Sequence, residues 1–195
     1  AIRDRLLEGL KNVITDEDIA ISGTVITTDN DPDGTALTTN TIAVLGPTHG
    51  TIIVNANGDF TYTPNSNYNG LDTIVVQICD NGLPLPAACS FDTIFITINP
   101  INDAPIIIND IASTYSNLTA SGNILLNDSD IENTMLTADS INIIGPSNGT
   151  IVVNINGNFV YTPNTGFYGQ DTIYIAVCDS GNPLPALCVT DTLII

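Results

Sequence analysis

The stretch GTIIVNANGDFTYTPN, residues 50–65, decides how this chain is read, because it returns as GTIVVNINGNFVYTPN at residues 149–164. The offset is 99 residues, and it continues outward without a gap: Gly70 maps onto Gly169, Asp72 onto Asp171, Cys79 onto Cys178, Asp80 onto Asp179 and Cys89 onto Cys188. From His49 to Ile96, 27 of 48 positions are identical at this offset. A unit of that length is a domain rather than one turn of a solenoid, so each copy is expected to hold its own core.

Inside the quoted stretch, FTYT alternates bulky apolar residues with Thr, as a half-buried strand does. Asn57-Gly58 and Asn156-Gly157 sit between two such runs and predict hairpin turns. Pro64 and Pro163 close the strands that follow. Strands are expected near Ile19–Thr27, Leu37–Leu45, Thr51–Asn55, Asp59–Thr63, Asp72–Cys79 and Phe91–Asn99, and again in the second copy. Seven or so short strands in about 95 residues predict an all-β fold of two tandem antiparallel Greek-key β-sandwiches. The chain has no Trp, which sets it apart from antibody domains with their Trp packed on the disulfide. The repeats are placed at residues 13–101 and 102–195. Residues 1–12, AIRDRLLEGLKN, fit neither repeat and read as a leader or remnant, with Ile2, Leu6, Leu7 and Leu10 on one face of a short helix. The chain does not begin with Met and reads as a piece of something longer.

Charge narrows the function. There are 21 acidic residues and three basic ones, and Arg3, Arg5 and Lys11 are all of the basic residues. Nucleic acid is excluded as a partner, because neutralising phosphates takes basic side chains. An anionic membrane surface would repel the chain, and no apolar run approaches the roughly 20 residues that span a bilayer, so membrane insertion is not expected. Salt bridges cannot relieve the repulsion among the carboxylates, which points to a hard divalent cation with oxygen ligands. The plainer reading is that acidity keeps a surface protein soluble.

The four Cys form two pairs that bracket the Pro-rich loops DNGLPLPAA and DSGNPLPAL. Of the three possible connectivities, repeat symmetry selects Cys79–Cys89 and Cys178–Cys188. Such bonds argue for an oxidising, extracellular location. A zinc thiolate site is disfavoured by the spacing and by a single His.

The acids fall at particular places. TDNDPDG puts Asp29, Asp31 and Asp33 at alternate positions in a loop, and the second copy has Asp128, Asp130 and Glu132. Alternating carboxylates can turn to one centre and supply the six to eight oxygens that calcium takes at about 2.3–2.6 Å. Turn formation is the competing explanation for Asp before Pro or Gly. Asp80 and Asp179 lie in CDNG and CDSG, which serve equally as turns or as ligand loops. Asp16-Glu17-Asp18 is a cluster the second copy lacks. Asp72, Asp92, Asp171 and Asp191 each precede Thr at a strand start and read as surface or turn acids, with Asp72 the foremost exception.

TDNDPDG after an early strand, NGLDT before a late one, CDNG, and a strand ending in INDAP together resemble the cadherin-like tandem repeats of large bacterial surface proteins. The resemblance covers both copies, residues 13–195. It implies calcium near the junction of successive repeats. On that pattern Asp29, Asp31, Asp128 and Asp130 match the D-x-D loop, Asp80 and Asp179 the lone Asp of a later loop, and Asn102 and Asp103 the linker. Asp72 stands roughly where cadherins carry a Glu. The L-D-R-E motif is missing and the linker is one residue short, so one or two ions are expected rather than three. The resemblance thus implies a non-enzymatic, calcium-binding repeat pair. It would serve as a rigid stalk or adhesive segment of a cell-surface protein, with neighbouring repeats and a surface or matrix ligand as partners.

Catalysis finds little support: the only His, His49, is Asn148 in the other copy. The alternative function is a carbohydrate- or ligand-binding module. Phe60, Tyr62, Phe159 and Tyr161 alternate as core residues should, which leaves Tyr68, Phe167 and Tyr168 in loops as the surface for a glycan.

Overall fold

The computed structural model describes residues 11–27, 29–31, 34, 36–82, 86–141 and 143–195. The helix expected of Ile2 to Leu10 lies outside them. The chain divides into two compact units, Ala1–Pro100 and Ile101–Ile195. Among the described residues, unit 1 has seven strands: β1 (Lys11–Asp16), β2 (Ile21–Thr24), β3 (Thr38–Thr39), β4 (Gly50–Val54), β5 (Asp59–Pro64), β6 (Gly70–Cys79) and β7 (Cys89–Asn99). Unit 2 repeats them as β8 (Asp110–Ile111), β9 (Ala120–Asn123), β10 (Thr137–Ala138), β11 (Gly149–Val153), β12 (Asn158–Pro163), β13 (Thr172–Cys178) and β14 (Cys188–Ile194). Each unit pairs a four-stranded sheet with a three-stranded one, in the order β1-β7-β6-β3 with β2-β5-β4, and β8-β14-β13-β10 with β9-β12-β11.

The all-β sandwich is as the alternation predicts. In β6 the side chains of Ile74, Val76 and Ile78 point inward, and in β7 those of Ile94, Ile96 and Ile98. They close on Val25, Val54, Phe60 and Tyr62 from the facing sheet. The core of unit 2 has the same members 99 positions on, from Ile124, Val153, Phe159 and Tyr161 to Ile173, Ile175, Val177 and Leu193. Gly50 and Gly149 start β4 and β11 where a Cβ would stand 2.6 Å from the Tyr62 ring and 2.5 Å from the Tyr161 ring. A side chain at either glycine would therefore collide with the tyrosine ring.

Three expectations change in detail. The Asn-Gly turns are hairpins, but the glycine alone takes positive φ, 88° at Gly58 and 82° at Gly157. Asn55 N–H donates to Asp59 and Gly58 N–H to Asn55, which closes a longer turn than a two-residue one. The strand expected over Leu37–Leu45 shrinks to Thr38–Thr39, because the Asn40 side chain accepts the Ile42 N–H at 3.1 Å and offers the backbone a local turn instead. Finally, the ladders are not wholly antiparallel: β1 runs parallel to β7, and β8 to β14. Lys11 and Asn12, set with the leader by the sequence reading, are the first two residues of β1. With first and last strands running the same way, the chain enters each unit at one pole and leaves at the other.

Both disulfides have the expected connectivity, Cys79–Cys89 and Cys178–Cys188. Each joins directly opposed residues of an antiparallel pair. Each closes a loop over a sequence separation of 10. Reducing either bond is expected to lower the stability of its unit by about 3 kcal/mol. That corresponds to roughly 10–20 °C in Tm, checked by calorimetry with and without reductant.

Candidate functional site

The pole at which the chain enters unit 2 gathers most of the expected ligands of that unit. Asp179 directly follows the disulfide strand β13. Its Oδ1 accepts the N–H groups of Gly181 at 2.8 Å and Leu187 at 2.9 Å, which fastens the Pro-rich loop. Its Oδ2 accepts the Asn102 side-chain amide at 2.9 Å. Asn102 also donates to the Pro185 carbonyl and accepts the Asn182 N–H, so this linker residue is held by the loop on three sides. The next residue, Asp103, donates its N–H to Glu132 Oε2 at 3.3 Å. Burial raises the Glu132 carboxyl above its ordinary range, and the charges of Asp130 and Asp103 add to this, while the N–H groups of Glu132 and Asp103 oppose it. Asp130 accepts the Thr134 N–H at 2.9 Å with Oδ1, and its buried Oδ2 has no hydrogen-bond partner.

This donor set suits calcium. It offers carboxylate oxygens from Asp103, Asp130 and Glu132, one of them buried and unsatisfied, and no basic residue competes. Among the described residues no three acidic, His or Cys side chains already converge as a finished metal centre. An ion would have to draw these carboxylates together.

Asp128 keeps different company. Its Oδ1 accepts the Ile108 N–H at 2.9 Å, and its charge acts on the carboxyls of Asp110 on β8 and Asp191 on β14. The alternating triplet is therefore divided: Asp128 faces Asp110 and Asp191, whereas Asp130 and Glu132 face Asp103. Asp191 is 0 % exposed, and its oxygens make no well-formed hydrogen bond, although the Thr192 N–H and the Asp110 carboxyl lie beside them. Burial, then the charges of Asp110 and Asp128, push its carboxyl up to about 7. Burial also raises Asp110 and Asp128.

In unit 1 the corresponding acids are Asp29, Asp31, Asp80 and Asp33, the last of which lies outside the described residues. Asp31 is buried. Asp80 fastens its loop as Asp179 does, accepting the N–H groups of Gly82 at 2.7 Å and Ala88 at 3.0 Å. Asp29 faces a cation of the chain's own: Lys11 Nζ lies 3.6 Å from Asp29 Oδ1 and 3.9 Å from Asp92 Oδ2. The Asp16–Asp18 cluster is used locally. Asp18 accepts the Asn67 N–H, and at the same place in unit 2 Asn117 accepts the Gly166 N–H.

Asp72 stands apart from the other expected ligands. Its two oxygens accept the N–H groups of Thr48, His49 and Thr73 and the hydroxyls of Thr48 and Tyr62. Asp171 repeats this with Ser147, Asn148 and the Tyr161 hydroxyl. Burial tends to raise Asp72, but the donors of Thr48, His49, Tyr62 and Thr73 outweigh it and hold the carboxyl below its ordinary value. Burial and the bond to Asp171 push Tyr161 up to about 12. Asp92, Asp171 and Asp191, read from sequence as surface or turn acids, are all buried, as is Asp72, the exception among them. The signal was present in strand parity: Asp72 shares its inward phase with Ile74 and Val76, and Asp92 with Ile94 and Ile96.

The aromatic loop residues differ between the units. The Tyr68 ring stacks on His49, with centroids 3.9 Å apart. In unit 2, Tyr115 and Tyr168 are exposed and line a cleft with Phe167 and Gln170.

Comparison with known proteins agrees with this architecture. The solved structure of mouse cadherin-23 domains EC22–24 is similar, with a TM-score of 0.57 at 19% identity over 98% of this chain and 63% of that one. Drosophila N-cadherin EC1–4 gives a TM-score of 0.58 at 13% identity, over 96% of this chain and 49% of that one. The chain thus spans about half to two thirds of these structures, and at such identities the likeness is one of fold. Among curated proteins none matches the chain. A family model described as a bacterial Ig domain matches residues 7–92 and 102–190. One match falls in each unit, so the chain belongs to the bacterial Ig domain family, as a tandem repeat with a cadherin-like fold.

Proposed function

We propose that these repeats are a non-enzymatic segment of an extracellular stalk or adhesin, and that calcium bound where the chain enters unit 2 stiffens it. The observation that supports this reading is the tethering of the linker. Asn102 and Asp103 lie at the start of unit 2, just past the end of unit 1 in sequence, and they are bonded to Asp179 and Glu132 of that same unit. An ion taking oxygens from Asp103, Asp130 and Glu132 would fix the conformation of that segment, and in its absence their charges repel. The parallel first and last strands carry the chain through each unit from pole to pole. Neighbouring repeats, and a surface or matrix ligand of the larger protein, are the partners that follow.

The test is thermal unfolding and small-angle scattering in millimolar calcium, in excess chelator and in magnesium. A calcium-specific rise in Tm of several degrees is expected from ligand linkage, with a more extended scattering profile. Asp103→Asn combined with Glu132→Gln should remove both effects. If calcium moves neither quantity, the stiffening mechanism fails. The cleft at Tyr115 and Tyr168 then favours the ligand-binding alternative, with glycans as the first probes.

A further inference from the structure

Superposing the repeats by sequence places Lys11 on Asp110, Asp29 on Asp128 and Asp92 on Asp191. The strand registers confirm the match: Lys11 lies opposite Ile94, and Asp110 opposite Leu193, 99 positions later. In unit 1 an ammonium group occupies this point and answers two buried carboxylates. In unit 2 a third carboxylate takes the place of the ammonium, so one local positive charge is exchanged for a negative one. The consequence is visible in Asp191, which is fully buried with no well-formed hydrogen bond on either oxygen and with the Asp110 carboxyl beside it, and in the buried Oδ2 atoms of Asp110 and Asp128, which lack one too. Three carboxylates shielded from water repel strongly unless a proton or a cation joins them.

We infer that Asp110, Asp128 and Asp191 form a cation site inside unit 2, taking from solvent a hard divalent ion such as calcium at the point where unit 1 carries Lys11. The residues are of the required kind, all oxygen donors with no nitrogen or sulfur ligand among them. The site is separate from the Asp103, Asp130 and Glu132 cluster and does not depend on it. The loop that carries Asp128 is fixed to the segment that leads into β8 by the Ile108–Asp128 and Asn127–Ile108 hydrogen bonds, and an ion would draw the three carboxylates together. The rival occupant is a single proton shared among the carboxyls, toward which their raised affinities also point.

The test counts calcium bound to the whole two-unit chain by equilibrium dialysis with elemental analysis, and follows hydrogen exchange in β8 and β14. Calcium is expected to slow exchange in both strands. Asp110→Lys, which copies unit 1, should keep the fold, bind one ion fewer and make that protection independent of calcium. Asp191→Asn should also lose one ion. Asp103→Asn with Glu132→Gln should leave the protection of β8 and β14 responsive to calcium, so the two sites stand or fall separately. An ion count unchanged by both Asp110→Lys and Asp191→Asn would overturn the inference. So would exchange in β8 and β14 that responds to pH but not to calcium, which assigns the cluster a proton.

Discussion

Replacing Asp72 with alanine is expected to unfold unit 1 under conditions that unit 2 survives, by removing about 4 kcal/mol from its stability. The carboxylate is a common acceptor for the N–H groups of Thr48, His49 and Thr73 and for the Tyr62 hydroxyl in the core. Truncation leaves the three N–H groups without that acceptor and the Tyr62 hydroxyl with the His49 carbonyl at 3.2 Å, at roughly 1–3 kcal/mol for each donor that water cannot reach. A domain of this size has about 5–15 kcal/mol in all. Tyr62→Phe is the graded control: it removes the hydroxyl's bonds to Asp72 at 2.9 Å and to the His49 carbonyl at 3.2 Å, leaves the carboxylate its backbone donors, and should lose about 1 kcal/mol. Urea titration read by hydrogen exchange in β4 to β6 against β11 to β13 separates the units. The same carboxylate sets a pH dependence. Its folded affinity for protons is below the ordinary 3.8, so below that pH the unfolded chain binds more protons than the folded one. The stability it contributes is fully present above about pH 4 and is lost as acid titrates the folded group. In Asp72→Ala that acid-sensitive part should vanish.

The second large effect is expected at Lys11. Lys11→Met keeps the length and apolar stem of the side chain but removes the ammonium between Asp29 and Asp92, both nearly inaccessible to solvent. Breaking a buried pair from one side strands charge in a low-dielectric site, and a loss of about 3 kcal/mol is expected, roughly 10–20 °C in Tm for a unit of this size. Lys11→Arg should lose much less. Asp92→Asn in the Met background should restore part of the loss, and the double-mutant cycle measures the coupling directly. A Met variant as stable as the parent would show that the ammonium is not what neutralises these acids.

Much of this was legible in the residues. The 99-residue offset, the alternation in FTYT and the Asn-Gly pairs led to two all-β units, and symmetry led to both disulfides. The spacing of the acids led to the loops at Asp80, Asp130 and Asp179. The buried acids were missed because Asp before Thr looks like a turn when read locally. Their inward phase becomes plain only when the strands are extended to include them.

By itself, then, the sequence determined the repeat, the class of fold, the pairing of the cysteines and the acidity that demands a counter-charge. It did so because each of these is written in spacing and composition, which need no partner from elsewhere in the chain. Tertiary structure alone decided where each carboxylate turns. It split Asp128 from Asp130, saturated Asp72 with donors from another loop, and set Lys11 and Asp110 at equivalent points with opposite charge. The reason is physical: a carboxylate's role is fixed by the groups that desolvate it and those that bond to it. Here those groups come from strands and loops tens of residues away.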